Sequence, residues 1–379
     1  MPRREGSQEE DSSIAFKDIT KVLYDGKVKL DYKDKAHRYY VRFRENWDLP
    51  EDDAKAWSKI VYPKGTTTLL GDTLEKKGLM TWPLGLAIRE LFGFYDFKSD
   101  EGNQMTGFSK GVGTMWEDGK TKSLTQEELL PIVKSANSAW QRKQQKGADI
   151  GSVVHDAIEH YVLGNTNNPD LPSIEAVFDI AEQYMWNIKE AITDIDSPEY
   201  DRAMAEFESD VAMANKAFEQ FKLWWDEVKP VLYGAEDLLY SLEHNVCGTY
   251  DGDIGVPITA HPVPELFEGK DIVRCTSDWK TSNASSSKDA AAPEGVYYSY
   301  FVQLAIYELC RREMGFPPAD DLLTVSARKD GGFSLVYASE LGLTVQECID
   351  WAVAVILCYR MADKAKEGLL AHLKTEEVK

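Results

Sequence analysis

The hydrophobic pattern of the chain changes at Pro230, and this change limits the folds open to it. Upstream, residues 172–229 follow a helical period with few breakers. Downstream come three strand-like runs, at 231–246, 249–256 and 271–280. Later elements are a helix, two short strands and a last helix, at 295–314, 322–327, 333–337 and 343–370. This order predicts an α/β fold in which a central mixed β-sheet is flanked by helices.

The N-terminal part combines strand-like and helical segments. Residues 16–45 alternate as strands do, and 37–41 is typical of half a hairpin. The apolar run at 79–91 predicts helix, whereas the Gly-, Lys- and Asp-rich segment 95–125 predicts a loop. We therefore expect four regions: a disordered tail at 1–15, a hairpin and helical region at 16–135, a core at 136–340 with a helical insertion at about 165–229, and a helix that packs on the core at 341–379.

The composition argues against several classes of protein. Five scattered cysteines without a CxxC pair disfavour a zinc ribbon or a disulfide framework and fit a reducing compartment. The chain has no run of about 18 apolar residues, so we expect no membrane span. The polar N-terminus does not resemble a secretory signal. The expected location is the cytoplasm, or the host cytoplasm for a viral protein.

The net charge of −21 is contrary evidence for nucleic-acid binding. Binding would then depend on local basic patches and on bound metal. The candidate patches are Arg42 with Arg44, Arg142-Lys143 with Lys146, Arg311-Arg312, and Arg328-Lys329. Each patch alone is more often ordinary solvated surface.

An acid and a base end the third strand-like run, in Cys275-Thr276-Ser277-Asp278-Trp279-Lys280-Thr281. Residues i and i+2 of a strand share a face, so Asp278 and Lys280 should lie side by side. Asp251 occupies the head of the preceding run. Two carboxylates and an ammonium at one point predict a divalent-metal site that activates water for phosphodiester cleavage. The tripeptide alone is common and would more often form a salt bridge at an exposed strand end.

These residues have expected roles. Asp251 and Asp278 would hold one or two Mg²⁺ or Mn²⁺ ions, and the backbone carbonyl of Trp279 could complete the metal shell. Lys280 would orient the attacking water or help to deprotonate it, and would stabilise charge that develops on the phosphate. Asp253 shares the strand face of Asp251, and could be a second ligand or the true one.

Two further pairs of polar residues are spaced four apart on predicted helices. His155 and Glu159 share one face, and an imidazole beside a carboxylate suits a metal that tolerates nitrogen, Mn²⁺ more than Mg²⁺. Gly151, before them, would allow close approach of another backbone. Gln303 and Tyr307 share another helix face, where they could bind phosphate or brace the lysine. The alternative for each pair is a packed residue whose hydrogen bonds are satisfied locally.

Weaker candidates surround these residues. Glu236, in Gly234-Ala235-Glu236-Asp237, opens the first strand and could help to shape the site. Tyr297, Tyr298 and Tyr300 could stack on bases, although helix packing is the more common use of such residues.

Taken in chain order, these residues resemble the RecB-like branch of the PD-(D/E)xK nuclease superfamily, which includes phage-type exonucleases. The matching motifs are Gly-x-x-x-His (Gly151 to His155), Gly-x-x-Asp (Gly248 to Asp251), Asp-x-Lys-Thr (Asp278 to Thr281) and Gln-x-x-x-Tyr (Gln303 to Tyr307). The resemblance covers about residues 138–340. It implies a restriction-endonuclease-like core of order αβββαβ.

The resemblance also implies a function. It implies a metal-dependent exonuclease that acts on single-stranded or duplex DNA ends in recombination, repair or phage DNA metabolism. A single-strand annealing protein or another recombination protein is a candidate partner, and an oligomer is compatible with it. The implied site residues are the metal ligands His155, Asp251 and Asp278, the base-assisting Lys280, and the supporting Gln303 and Tyr307. Many relatives hold an iron–sulfur cluster on four cysteines, but the cysteine spacing here departs from that pattern, so no cluster is expected.

Other interpretations stay open. The chain could be a catalytically silent member that serves as a DNA-binding or scaffold protein, although the intact set of Asp251, Asp278 and Lys280 argues against it. It could be a structure-specific endonuclease or junction resolvase, which a dependence on free DNA ends would exclude. It could also be an acidic helical adaptor whose motifs coincide by chance.

Overall fold

The computed structural model describes residues 18–33, 38–74, 114–117, 120–123, 146, 148–166, 178–282 and 296–376. Within them the fold is α/β, with a mixed sheet flanked by helices, as the sequence predicts. The expected tail at 1–15, the predicted helix at 79–91 and the Arg142-Lys143 patch lie outside the described residues.

A small antiparallel sheet begins the described chain. Its strands, in the order in which they pair, are β1 (Ile19–Leu23), β2 (Val28–Lys33) and β3 (Arg38–Phe43). The pairing of β2 with β3 is the hairpin that the alternation at 16–45 predicts. The short strand β4 (Lys64–Gly65) and helix α1 (Thr66–Thr73) follow.

The prediction of loop throughout 95–125 is wrong for part of that segment. Strands β5 (Thr114–Glu117) and β6 (Lys120–Ser123) pair as an antiparallel hairpin. The sequence between them is Asp118-Gly119, and Asp-Gly between two short strands is a strong hairpin signal. The glycine and charge content of the segment concealed this signal.

The central sheet has six strands among the described residues. Besides β4 they are β7 (Val231–Ser241), β8 (Val246–Pro257), β9 (Ile272–Ser282), β10 (Asp321–Arg328) and β11 (Phe333–Tyr337). Strands β7, β8 and β9 form an antiparallel meander, β10 lies parallel to β9, and β11 closes the edge antiparallel to β10. Strand β4 pairs in parallel with the beginning of β8.

Helices cover both faces of this sheet. They are α2 (148–164), α3 (Ile180–Ala191), α4 (Pro198–Val228), α5 (Tyr298–Glu313) and α6 (Val345–Glu376). Residues of α2, α3 and α4 share one buried apolar cluster with the sheet, and residues of α1, α5 and α6 share another. In the first cluster the indole of Trp279 lies 5.1 Å from the ring of Phe221, centroid to centroid. Among the described residues, no helix is long and apolar enough to cross a bilayer.

The helical region before β7 is divided as its sequence predicts. The side chain of Ser197 accepts a hydrogen bond from the Tyr200 amide at 3.2 Å, and Pro198 occupies the first helical turn of α4. At the other end, Lys229 has a left-handed backbone (φ 51°) and Pro230 follows it. The helix therefore ends where the hydrophobic period changes.

Candidate metal centre

Neighbouring strands of the meander bring three acids and a lysine to one region of the sheet: Glu236 on β7, Asp251 on β8, and Asp278 with Lys280 on β9. Ala235 pairs with Gly252 and Asp237 with Tyr250, which places Glu236 opposite Asp251. Like charges at facing positions of two strands repel each other, so this arrangement is unfavourable unless a cation lies between them.

Helix α2 adds a nitrogen donor to this pair. One ligand atom from each of His155, Glu236 and Asp251 lies within 4.8 Å of the others. The Nδ1 atom of His155 is 3.7 Å from Oδ2 of Asp251. Asp251 is only 8% exposed, whereas the His155 side chain is 28% exposed. The cluster is thus accessible to solvent at His155, on α2, and buried at Asp251, in the sheet.

The structure adds Glu236 to the expected ligands. The sequence predicts that Glu236 opens the first strand, but in the structure it is the sixth of the eleven residues of β7. Its backbone φ is +51°, a conformation that few non-glycine residues adopt, and β7 shifts register between Leu232 and Gly234. Strain of this kind concentrates at functional sites, and neither feature can be read from the sequence.

Asp278, the third expected ligand, is not one of the three clustered residues; it lies beside them and is paired with Lys280. The two form an ion pair on the same face of β9, as their spacing predicts, and Asp278 is 1% exposed. The ammonium of Lys280 also lies 5.3 Å from the ring centroid of Tyr300. Burial and the nearby Asp251 raise the pKa of Asp278 to about 7, although Lys280 opposes the rise.

The charges of the other groups follow from their surroundings. Burial opposes charge on Lys280, but the attraction of Asp278 and Asp251 prevails and raises its pKa to about 12. Burial and the charge of Lys280 lower the pKa of His155 to about 4. Burial raises the pKa of Asp251. At neutral pH the site therefore holds a charged ammonium and a neutral imidazole, the form of histidine that binds metals.

The backbone of Trp279 connects two of the expected ligands. Its amide donates a hydrogen bond to Oδ2 of Asp251. The backbone of the same residue also acts on the His155 imidazole, whose pKa it raises against the larger effect of burial. The Trp279 carbonyl as a metal ligand stays a prediction. The indole lies on the opposite face, in the core.

Helix α5 supports the site from the other side of the sheet. The Gln303 amide nitrogen donates to Oδ1 of Asp278 at 3.3 Å and to the Tyr307 hydroxyl at 2.7 Å. Both residues are buried, Gln303 at 6% and Tyr307 at 3% exposure. The pair therefore holds the Asp278 carboxylate at Oδ1, whereas Lys280 pairs with Oδ2.

The four motifs also contact one another through their glycines. A Cβ atom at Gly151 would lie 2.9 Å from the Thr281 hydroxyl, so the close approach expected there is to a side chain and not to a backbone. A Cβ atom at Gly248 would lie 2.5 Å from the Tyr307 ring. The Gly151–His155 motif thus packs on the Asp278–Thr281 motif, and the Gly248–Asp251 motif packs on the Gln303–Tyr307 motif.

We expect Gly248→Ala to destabilise the protein and to disturb the site. The Tyr307 ring is buried and has no space to move, and overpacking of this kind costs about 1–3 kcal/mol. A suitable control is Gly71→Ala in α1, where nothing lies within 4 Å of the new methyl group. Urea unfolding should show a loss for Gly248→Ala and no loss for Gly71→Ala. Equal stabilities would show that Tyr307 can shift.

Asp253, the alternative ligand, lies in a different environment. It is 2% exposed and accepts hydrogen bonds from Arg274, at 2.9 Å to Nε, and from Arg311. Its carboxylate is therefore neutralised by two guanidinium groups and is not one of the three clustered ligands. Arg311 is fully buried, so the suggestion that Arg311-Arg312 forms a surface patch is wrong.

The three tyrosines before Gln303 have separate roles. Tyr300 faces Lys280 and packs edge-on against Tyr297 at 5.5 Å. Tyr298 stacks on Trp351 of α6 at 6.0 Å. They do not form a single stacking surface.

Comparison of the chain with models of protein families gave no match, and a search among curated proteins gave none either. The resemblance to RecB-like nucleases therefore depends on the four motifs of the sequence. The geometry adds the contacts between those motifs, which none of them specifies alone.

Proposed function

We propose that the chain is a metal-dependent DNA nuclease of the RecB-like PD-(D/E)xK type, and that it acts as an exonuclease. The observation that carries the proposal is the convergence of His155, Glu236 and Asp251 beside the ion pair of Asp278 and Lys280. With α3 and α4 taken as the insertion expected at about 165–229, the remaining order α2, β7, β8, β9, α5, β10 supports it, since it agrees with the αβββαβ core that the resemblance implies.

The donor set fits Mg²⁺ or Mn²⁺. Carboxylate oxygens suit both ions, and one imidazole nitrogen favours Mn²⁺. His155, Glu236 and Asp251 would hold the ion, with Asp278 at its border. When bound, a divalent ion supplies Lewis-acid polarisation of the phosphoryl oxygen and lowers the pKa of a coordinated water.

The residues of the chain position this chemistry. Lys280 is charged at neutral pH, so it contributes positive charge where the phosphate gains negative charge and does not itself accept the proton of the water. Asp278 holds the Lys280 ammonium, and Gln303 with Tyr307 holds Asp278. The Trp279 amide orients Asp251. Lys280, Asp278 and Asp251 are thus each held by a second group.

The test is the release of acid-soluble nucleotides from linear DNA with Mg²⁺ or Mn²⁺. Wild type should release nucleotides, and Asp251→Asn should lower the rate by at least about 100-fold, since even the partners of metal ligands contribute 10- to 100-fold. Asp350→Asn, on the exposed face of α6, is the matched control and should behave as wild type.

Closed circular DNA separates the alternatives. An exonuclease leaves single-stranded and duplex circles intact, whereas their cleavage would favour the endonuclease. No release by wild type from either kind of end, with either metal, would contradict a nuclease and favour the silent scaffold.

A further inference from the structure

The outward face of the N-terminal sheet is basic in a chain of net charge −21. Val28, Leu30 and Val41 are fully buried against the central sheet, so the alternate residues of β2 and β3 face away from it. The basic and aromatic residues of this outward face, with the tyrosine next to them, form what we call the outer patch: Lys29, Lys33, Arg38, Tyr40, Arg42 and Tyr62.

The strand register places like charges opposite each other in this patch. Lys29 faces Arg42, and Lys33 faces Arg38. Directly opposed like charges destabilise a sheet, and a bound polyanion would relieve the repulsion.

Two acids neutralise only part of this charge. Asp31 lies 3.6 Å from the Arg42 guanidinium, and Asp18 lies 2.6 Å from the Lys33 ammonium. Within the described part of the chain, the four basic residues of the patch and these two acids leave a surplus of two positive charges. Arg44, which the sequence grouped with Arg42, does not add to the surplus because Glu51 pairs with it at 3.2 Å and its side chain is only 9% exposed.

Two aromatic rings border the basic residues. Tyr40 and Tyr62 pack edge to face with their centroids 5.6 Å apart, and Tyr62 is 64% exposed. An exposed ring beside basic residues suits stacking on a base, which must first be unstacked from its neighbours. The patch therefore favours a single strand over a duplex, whose bases are already stacked.

The opposite face of the same sheet is joined to the metal centre. The Tyr39 hydroxyl lies 3.2 Å from the Thr249 hydroxyl, and Thr249 is two residues before Asp251. Lys21 pairs with Asp237, the neighbour of Glu236. The patch is thus held beside the strands that carry the candidate ligands.

We propose that the outer patch is a docking surface for single-stranded DNA, which it holds beside the metal centre. The inference rests on the proposed function for its substrate and adds the place and the strandedness of binding. The basic residues contact phosphates, and Tyr62 stacks on a base.

The experiment measures binding without cleavage. Fluorescence anisotropy of a labelled oligothymidine and of a labelled duplex, in EDTA, gives the affinity of the full chain for each. Lys29→Glu should weaken binding of the single strand about tenfold. It should also make the slope of log affinity against log salt concentration shallower by roughly 0.7 for each phosphate that the variant no longer neutralises.

Tyr62→Ala should weaken single-strand binding about 5- to 150-fold, the range for one stacked base, and leave duplex binding unchanged. Lys366→Glu makes the same charge change on an exposed part of α6 and should have little effect.

The Lys29→Glu variant also separates binding from folding. Its carboxylate faces Arg42, so an attractive pair replaces a repulsive one. This offsets the loss of the Lys29 ammonium from the Trp57 ring, 5.8 Å away, and the melting temperature should change little. Wild-type affinity in both patch variants, or an equal loss in Lys366→Glu, would overturn the docking surface.

Hydrolysis of bis(p-nitrophenyl) phosphate by wild type with Mn²⁺ tests the metal centre separately. This substrate is too small to need the patch. If the patch variants bind DNA more weakly but wild type hydrolyses no bis(p-nitrophenyl) phosphate, the nuclease proposal fails and the docking surface stands. If wild type hydrolyses the substrate but the patch variants bind DNA as wild type does, only the docking surface fails.

Discussion

Lys280→Ala should lower the rate of metal-dependent DNA hydrolysis by about 10²–10³-fold, the usual effect of removing one group that stabilises transition-state charge. The ammonium is held by Asp278 and is charged at neutral pH, so the loss should fall on kcat. Single-turnover rates at saturating DNA measure this directly. Lys366→Ala, an exposed lysine of α6, is the matched control.

The same variant should change the pH dependence of metal binding. Asp278 lies at the border of the proposed ion, where its negative charge attracts a cation. Because its pKa is raised to about 7, this charge is lost and metal affinity should fall as the pH drops through that value. Lys280 holds this pKa down, and its removal should therefore move the midpoint to higher pH. Titrations with Mn²⁺ between pH 6 and 9, at intervals of about half a unit, would show the shift. An unchanged rate and midpoint would reduce Asp278 and Lys280 to an ordinary salt bridge.

Glu308→Ala should lower the free energy of unfolding by about 3–5 kcal/mol, since it breaks a buried ion pair on one side only. Glu308 is fully buried and accepts hydrogen bonds from three side chains and one amide: Thr276 at 2.8 Å, Arg311 and Arg312 at 2.7 Å, and the Ala319 amide at 2.9 Å. Arg311 is also fully buried and would keep Asp253 as its remaining carboxylate partner.

Urea unfolding of two variants provides the test. Arg312→Ala removes a partner of the same carboxylate, but its side chain is 32% exposed, so its loss should cost only about 0–1 kcal/mol. Glu308→Gln should fall between the two because the amide oxygen still accepts hydrogen bonds. If Glu308→Ala cost no more than Arg312→Ala, solvent or a rearranged arginine would be replacing the missing carboxylate.

Much of the fold is determined locally, and the sequence shows it. The strand-like pattern indicates β7, β8 and β9, and the helical period indicates α4 and α5. The pattern did not give the end of β7, because the turn at 242–245 lies within the run predicted as the first strand, 231–246. The i, i+2 spacing of Asp278 and Lys280 and the i, i+4 spacing of Gln303 and Tyr307 specify side-chain neighbours, because residues at these spacings share a face. These relations need no knowledge of the rest of the molecule.

Tertiary structure decides which residues make up the candidate metal centre. Asp251 and Asp253 have the same strand parity, so alternation cannot separate them, and the positions of Arg274 and Arg311 show which one is neutralised. Glu236 enters the cluster through a register shift and a left-handed backbone that depend on how β7 pairs with β8. Local sequence determines which face of a strand a residue occupies, whereas long-range pairing determines what lies opposite it.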